Sequence, residues 1–285
     1  MIDSSPAVRL RSRGQRPLFD HDGPAADVIA QFADDPDFVT ALARGVAVLL
    51  ALSDKRRRMS IAQVSHRTGI PRATVRRSLH TLEKLGFVSA DEAQHFYLRP
   101  RVLSISHAYL SSSPVAVLAQ PILDRLGTSL GEACSLAILD GSEIVYLARS
   151  SSSRIMSPTL NVGRRLPAYC TSIGHVLLAH LSSDELEEYL AHARFVRYTD
   201  YTLTEASQLR KALEAVRANG FAFASQQMEL RISTLAVPVR DTTGRYVAGI
   251  NVILQGRLLT ASDMTERFFQ PLHEASMELG SQLLG

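Results

Sequence analysis

Tryptophan is absent from this 285-residue chain, aromatic residues make up only 6%, and cysteine occurs twice, as Cys134 and Cys170. Two thiols 36 positions apart, outside any C-x-x-C pattern, encode neither a disulfide framework nor a structural zinc site. No apolar run approaches the ~20 residues that a membrane-spanning helix needs; the longest strongly apolar stretch is Gly45 to Leu52. The opening residues lack the basic-then-apolar order of a signal peptide, so no membrane partner is expected and the expected location is the cytoplasm, at the nucleoid. There is no G-x-G-x-x-G or Walker A loop, and the nine histidines include no H-x-x-x-H pair, so no nucleotide cofactor and no metal is expected. What remains is ordinary for a folded chain: 46% hydrophobic, 21% charged, and long enough for two domains.

The net charge of +3 conceals a sharp partition. Residues 1–37 carry 4 Lys and Arg against 7 Asp and Glu, residues 38–101 carry 12 against 4, and residues 102–285 carry 15 against 17. The excess of +8 therefore belongs to 64 residues, as expected of a small polyanion-binding module joined to a larger neutral one.

Residues 1–37, rich in Pro, Asp, Arg and Gly without apolar periodicity, read as a mostly disordered tail. From Phe38 the steps to Leu42, Val46, Leu49 and Leu50 predict a helix ending near Ser53, with that stripe as its buried side. Ser60-Ile61-Ala62-Gln63 has capping-box form and opens a second helix, which Gly69 ends. Pro71 opens a third that runs to Gly86, with Val75, Leu79 and Leu82 on one face and Ala73, Arg77, His80 and Lys84 on the other, flanked by Arg72, Thr74 and Arg76. Phe87-Val88 and His95 to Leu98, separated by a polar turn, read as a hairpin, so residues 38–99 form a winged helix-turn-helix.

An amphipathic basic helix alone is more often a solvated surface than a reader of DNA. Here the capped preceding helix, the turn glycine, the charge step and the hairpin converge on a helix presented to a major groove. Arg72, Arg76 and Arg77 are the candidates for guanine edges or phosphates, Thr74, His80 and Lys84 for lesser contacts, and Ser60, Gln63 and Arg67 for bracing phosphates from the preceding helix.

Residues 100–113 read as a connecting helix whose Val102, Leu103, Ile105, Tyr109 and Leu110 have little domain to pack on, so a partner chain is expected to cover them. Beyond it, 114–285 predicts an α+β domain. Its helices span 115–130, 172–181, 183–192, 205–219 and 262–283. Its strands span 133–139 and 143–149 about an Asp140-Gly141 turn, a stretch near Ile155 to Val162, then 221–226, 232–240 and 246–254. The G-x-S-x-G at Gly127 to Gly131 follows a helix and precedes a strand, the reverse of a hydrolase elbow, and reads as a helix cap. The segment from Gly163 to Gly174 is either a structured loop or a ligand cradle in which Thr171, Ser172 and the helix N-terminus seat a carboxylate. Arg149, Arg154 and Arg231 are candidate carboxylate partners or plain surface residues.

These runs resemble the IclR family of bacterial transcriptional regulators over nearly the whole chain from Phe38. Leu42 to Val48, Ile61 to Thr68, Ile70 to Ala73, Val75-Arg76-Arg77, Leu79 to Leu82, His107 to Ser112 and Arg165 to Ser172 look like its β-ketoadipate-pathway branch, whose members answer to aromatic catabolites. The resemblance implies an N-terminal winged helix-turn-helix, a linker helix used in dimerisation and a GAF/PAS-like α+β effector domain. The protein it describes is a homodimeric or tetrameric activator that binds a double-stranded operator, responds to an aromatic carboxylate and can contact RNA polymerase. It places the effector pocket on Ala168, Tyr169, Cys170, Thr171 and Ser172, on Ser225 and Thr234, and on Asn251 and Ile253. Where the branch has Gly-Leu-Arg this chain has Arg231-Ile232-Ser233, and Ser225 replaces a usual acid, which favours a more anionic or differently placed ligand. Two alternatives are a family member sensing a small aliphatic acid, and a GAF-type sulfoxide reductase with Cys134 and Cys170 as its redox couple.

Overall fold

A computed structural model describes residues 24–53, 58–150 and 161–284, which fall into two compact units divided between Tyr109 and Leu110. The first unit comprises α1 (Ala25–Ala30), α2 (Thr40–Ala51), α3 (Ile61–Thr68), α4 (Arg72–Lys84) and a hairpin of β1 (Val88–Ala90) with β2 (Phe96–Leu98). α3 begins where the capping box puts it: Ser60 Oγ accepts the Gln63 N–H at 3.3 Å, and Gln63 Oε1 accepts the Ser60 N–H at 2.8 Å. Two of the donors orphaned at a helix start are thereby satisfied. Gly69 closes α3 in the left-handed conformation at φ 71°, which lets Ile70 turn into the core and aims α4 across α3. α4 buries Val75, Leu79 and Leu82 among Val48, Val64, Val88 and Phe96. The element order and pairing are those of a winged helix-turn-helix.

Two expectations for this unit are corrected. The tail is not structureless throughout: α1 puts Ile29 into the helix-turn-helix core, buries Val28, and is followed by stacked rings of Phe32 and Phe38 4.8 Å apart. A few apolar side chains suffice because Pro24 and Ala26 sit directly on the bare backbone of Gly69; residues 1–23 of that tail lie outside the described residues. The expected stripe of α2 is buried only in part: Phe38 and Leu49 pack on the core beside the buried Ala47, Val48 and Ala51, whereas Leu42, Val46 and Leu50 are exposed, Leu42 by 66%. A helix crossing two others closely must offer small side chains at the contact, and periodicity alone does not say which of two apolar faces is the smaller-sided.

α5 (Val102–Ser112) has no buried residue. The second unit continues with α6 (Pro114–Leu130), β3 (Ala133–Asp140), β4 (Glu143–Arg149), β5 (Arg165–Pro167), a 3₁₀ turn at Ala168–Cys170, α7 (Ser172–Leu178), α8 (Ser183–His192) and α9 (Ala206–Asn219). β6 (Ala222–Ser225), β7 (Ile232–Arg240), β8 (Tyr246–Gln255) and α10 (Ala261–Gln282) complete it. The strand expected near Ile155 to Val162 falls mostly on residues outside those described. Six strands form one antiparallel sheet in the order β5-β4-β3-β8-β7-β6. α6 and α10 cover one face through Leu123, Leu136, Leu235, Ile250 and Phe268. α7 and α9 cover the other through Ile173, Leu209 and Leu213, over Ala137, Ile144 and Ala236. A β-bulge after Leu136 pairs Leu136 with Ala148 but Ala137 with Tyr146. Leu147 and Ala148 both enter the α6/α10 core, so Tyr146 and Arg149, three residues apart, share the α7 face.

Candidate nucleic-acid interface and ligand site

The sequence of α4 builds a basic surface because Val75, Leu79 and Leu82 recur at four- and three-residue steps on one face, while Arg72, Arg76, His80 and Lys84 recur at four-residue steps on another. Arg72, Arg76, Arg77, His80 and Lys84 are exposed and Thr74 is half-buried. Among the described residues no acidic side chain pairs with Arg72, Arg76 or Arg77, so their guanidinium groups face outward with all donors available. Arg67 is exposed on α3, while the side chains of Ser60 and Gln63 each accept the other residue's backbone N–H at the helix start. The hairpin brings in a residue the sequence reading did not single out: Arg58 bonds Asp91 at 2.9 Å and lies over the Tyr97 ring at 4.9 Å. The His95 N–H, with that guanidinium, holds the Asp91 carboxyl below the usual range. The wing is thus stiffened by its own charges.

In the second unit the register gathers polar groups on the α7 face. Arg149 of β4, Ser135 of β3 and Asn251 of β8 stand side by side in one row, with Ala236 of β7 beyond them. In the row beside it, Tyr146 pairs through its backbone with Arg164. Ser135 Oγ, Asn251 Oδ1, Arg164 Nε and the Oγ of Ser172, the first residue of α7, are buried atoms with no hydrogen-bond partner. Each such group left bare costs about 1–3 kcal/mol; Ser135, Asn251 and Arg164 among them gather about Tyr146 and form a candidate ligand site. Burial pushes the Tyr146 hydroxyl up to about 12, so it stays protonated and able to donate; Arg149 and Arg164 oppose that rise. Burial also lowers the pKa of Arg149, yet a guanidinium remains a cation at neutral pH. Two cations, two hydroxyls and an amide on a face screened from water suit an anion that carries further hydrogen-bonding groups.

The residues expected to form the pocket are only partly brought together. Asn251 and Arg149 belong to the cluster, Ser172 is buried at the start of α7, and Thr234 pairs with Ile253 in the next row of the same face. The Thr234 hydroxyl, however, is engaged with Ala224 O at 3.2 Å. Thr171 is the N-cap of α7, its Oγ1 accepting the Gly174 N–H at 3.1 Å, so it caps instead of seating a carboxylate. Ala168 lies so close to Gly174 that a Cβ there would stand 2.0 Å from its carbonyl oxygen, which fixes the 3₁₀ turn against α7.

Five expectations are corrected. The Tyr169 hydroxyl is saturated, donating to Val196 O at 2.7 Å and accepting from Val196 N at 2.8 Å. The Cys170 thiol, pushed up to about 12 by burial, rests 2.9 Å from Met228 Sδ. Ser225 bonds Ser233 at 3.0 Å, on the face opposite Thr234 and Asn251, because strand neighbours alternate. Arg231 is exposed at φ 63° with its guanidinium on Gly256 O. The proposed cysteine couple is also set aside: Cys134, likewise raised to about 12 by burial, lies in the α6/α10 core with the sheet between it and Cys170. Arg154 lies outside the described residues. Ser135 and Tyr146 were not foreseen as candidate ligand residues, and Arg164 only as part of the Gly163–Gly174 segment; strand alternation groups them once the bulge and the β4–β5 pairing are known.

Comparison with known proteins gives consistent matches to both units. The family model for the IclR helix-turn-helix domain matches residues 41–92, and that for the bacterial transcriptional regulator IclR C-terminal matches residues 107–280. The chain is 45% identical over 258 residues to a Pca regulon regulatory protein of Pseudomonas putida, spanning 90% of this chain and 88% of that one. It is 34% identical over 248 residues to a p-hydroxybenzoate hydroxylase transcriptional activator of Acinetobacter baylyi, spanning 85% and 91%. A crystal structure of an IclR homolog from Microbacterium hydrocarbonoxydans complexed with 4-hydroxybenzoate superposes with a TM-score of 0.71 at 25% identity, over 85% of this chain and 98% of that one.

Proposed function

This chain belongs to the IclR family of bacterial transcriptional regulators, and we propose that it switches genes of aromatic-acid breakdown on a single-chain principle. α4 holds a double-stranded operator, and an aromatic carboxylate bound on the α7 face of the second unit changes that hold. The observation that carries the reading is that one chain joins an outward helix face, whose arginines are paired with no acid among the described residues, to a cationic cluster of bare polar atoms. Arg149 and Arg164 take the carboxylate, while Ser135, Ser172 and Asn251 take its other polar groups, with Thr234 and Ile253 as flanking wall. Arg72, Arg76 and Arg77 meet bases and phosphates, with Arg67, Thr74, His80 and Lys84 around them.

The protein acts as a homodimer. Leu42, Val46 and Leu50 on α2 and Leu103, Ile105 and Tyr109 on α5 are large apolar side chains left in water, and such faces on narrow helices favour a second copy. A two-fold protein implies a palindromic operator with half-sites set by the dimer. Its relatives' names favour an activator, which acts by placing RNA polymerase at the promoter. A ligand alters operator affinity only through a difference in binding between two arrangements of the protein. Titrating the full chain onto its own promoter DNA with and without aromatic carboxylates tests the reading. An operator affinity or DNase footprint that changes with one such acid supports it; one that never changes at acid concentrations shown by calorimetry to saturate the protein contradicts it.

A further inference from the structure

The tail ahead of the helix-turn-helix consists of two segments of opposite charge. Residues 1–18 carry Arg9, Arg11, Arg13 and Arg16 against Asp3 alone, whereas residues 19–37 carry six aspartates and no cation. Four arginines within eight residues, with no acid from Ser4 to Phe19, form a strong local cation that the count of 4 against 7 for residues 1–37 hides. These arginines lie outside the described residues, but the point at which the chain enters the fold does not. Pro24 and Ala26 rest on Gly69, the turn glycine between α3 and α4, and the buried Val28 and Ile29 hold α1 in that seat. Gly69 precedes Arg72 by three Cα–Cα steps, about 11 Å at most, so Pro24 is anchored beside the first residue of α4. The N-terminal end of a recognition helix is the end that meets base edges. Pro24, Gly69 and Arg72 are all exposed, so the chain ahead of Pro24 sets out from the DNA-proximal end of the unit.

We propose that residues 9–16 form a DNA-binding arm that enters the minor groove flanking a half-site, next to the major groove taken by α4. The reach suffices: an adjacent minor groove lies half a helical turn away, about 17 Å. The eight residues from Arg16 to Pro24 span up to about 27 Å and the fifteen from Arg9 up to about 50 Å, so each arginine attains the groove from the anchor. The chemistry also fits. Arg9, Arg11 and Arg13 alternate with Leu10 and Ser12, the spacing that sets side chains on one side of an extended chain. A narrow minor groove concentrates negative potential and attracts arginine, and guanidinium groups fork onto the phosphates at its rim. Asp20 and Asp22, which phosphate repels, fall in the spacer and not among the arginines. Tethering at Pro24 turns the arm's binding into an intramolecular event once α4 has docked, so contacts too weak to act alone add to operator affinity.

The inference rests on the operator reading of α4, and the test separates the two. The full chain, Arg76→Ala, and a fourfold variant with Arg9→Ser, Arg11→Ser, Arg13→Ser and Arg16→Ser are titrated onto the protein's own promoter DNA over a range of salt. The fourfold variant should bind about tenfold or more weakly at about 0.1 M salt. Its plot of log affinity against log salt should be shallower by about 2 or more, because each phosphate contact contributes about 0.9 to the slope. Hydroxyl-radical footprints should lose minor-groove protection outside the half-sites and keep the half-sites themselves, with an unchanged melting temperature. Equal affinity, slope and flanking footprint in the fourfold variant overturns the arm, and leaves α4 as the reader where Arg76→Ala still binds weakly. Weaker binding with slope and footprint unchanged also overturns it, because the tail then acts without touching DNA. Failure of the unaltered chain to bind its promoter overturns both.

Discussion

Alanine at position 69 should be costly for a reason that links the first helix to the recognition helix. Gly69 has φ 71°, and a Cβ built on it stands 2.7 Å from Pro24 Cβ and 3.2 Å from Ala26 Cβ. Left-handed backbone costs an alanine about 1–2 kcal/mol relative to glycine, and forcing a methyl into that contact adds about 1–3 kcal/mol. Together these come to roughly 2–5 kcal/mol, which lowers the melting temperature of a unit this size by about 10 °C or more. Pro24→Gly removes the nearest atom that the new methyl would strike but leaves Ala26 Cβ and the backbone penalty. In a double-mutant cycle by differential scanning calorimetry on the full chain, Gly69→Ala should therefore cost markedly less in the Pro24→Gly background. A coupling energy indistinguishable from zero would refute the seating of α1 on the turn between α3 and α4.

Other expectations concern the second unit. His175 is buried with Nε2 donating to Tyr169 O at 2.7 Å, and burial depresses its pKa; His180 is depressed by the same cause. The unfolded chain accepts protons there that the folded one refuses, so stability present above about pH 6.5 should be lost as pH falls below it. Urea midpoints at pH 7.5 and 5.5 should show this, and His175→Gln should flatten the dependence; an equal slope in the variant contradicts it. Because burial raises both thiols to about 12, Cys134 and Cys170 should resist a disulfide-exchange reagent at pH 8 until denaturant is added, and rapid labelling of the native protein would count against their placement. Gly174→Ala drives a methyl into the Ala168 carbonyl and should unseat the 3₁₀ turn from α7, observed as a fall in the unit's melting temperature and loss of ligand binding; a neutral result would mean that the close approach does not exist.

Much of the fold was legible because its determinants are local. The capping box at Ser60, the turn at Gly69, the hairpin around Asp91 and the Asp140-Gly141 reversal each depend on residues within a few positions, and they fall where the pattern places them. The inward face of α2 was read only in part, because it depends on α3 and α4, against which Ala47, Val48 and Ala51 pack while Leu42, Val46 and Leu50 stay outside. α1 was missed because six residues carry no period, and its anchor is a distant glycine. The exposed cationic face of α4 was recoverable from a single helix wheel. The candidate polar cluster was not: it is assembled from β3, β4 and β8 with Arg164 ahead of β5, and a one-residue bulge decides that Tyr146 and Arg149 face the same way. Residue type misled in the same region, for Tyr169 and Thr171 look like ligand-binding groups and spend their hydroxyls on the backbone, whereas the unremarked Ser135 keeps its own free.

The central claim is that α4 reads DNA while the second unit reads an acid. Its most direct test is a salt-controlled mobility-shift titration of the promoter with Arg76→Ala, Arg77→Ala and the double variant, run beside calorimetry of 4-hydroxybenzoate binding. Each arginine should be worth about 1–3 kcal/mol of operator affinity, so the double variant should bind the operator about a hundredfold or more weakly while its affinity for the acid stays unchanged. Operator affinity equal to that of the unaltered protein would contradict the account.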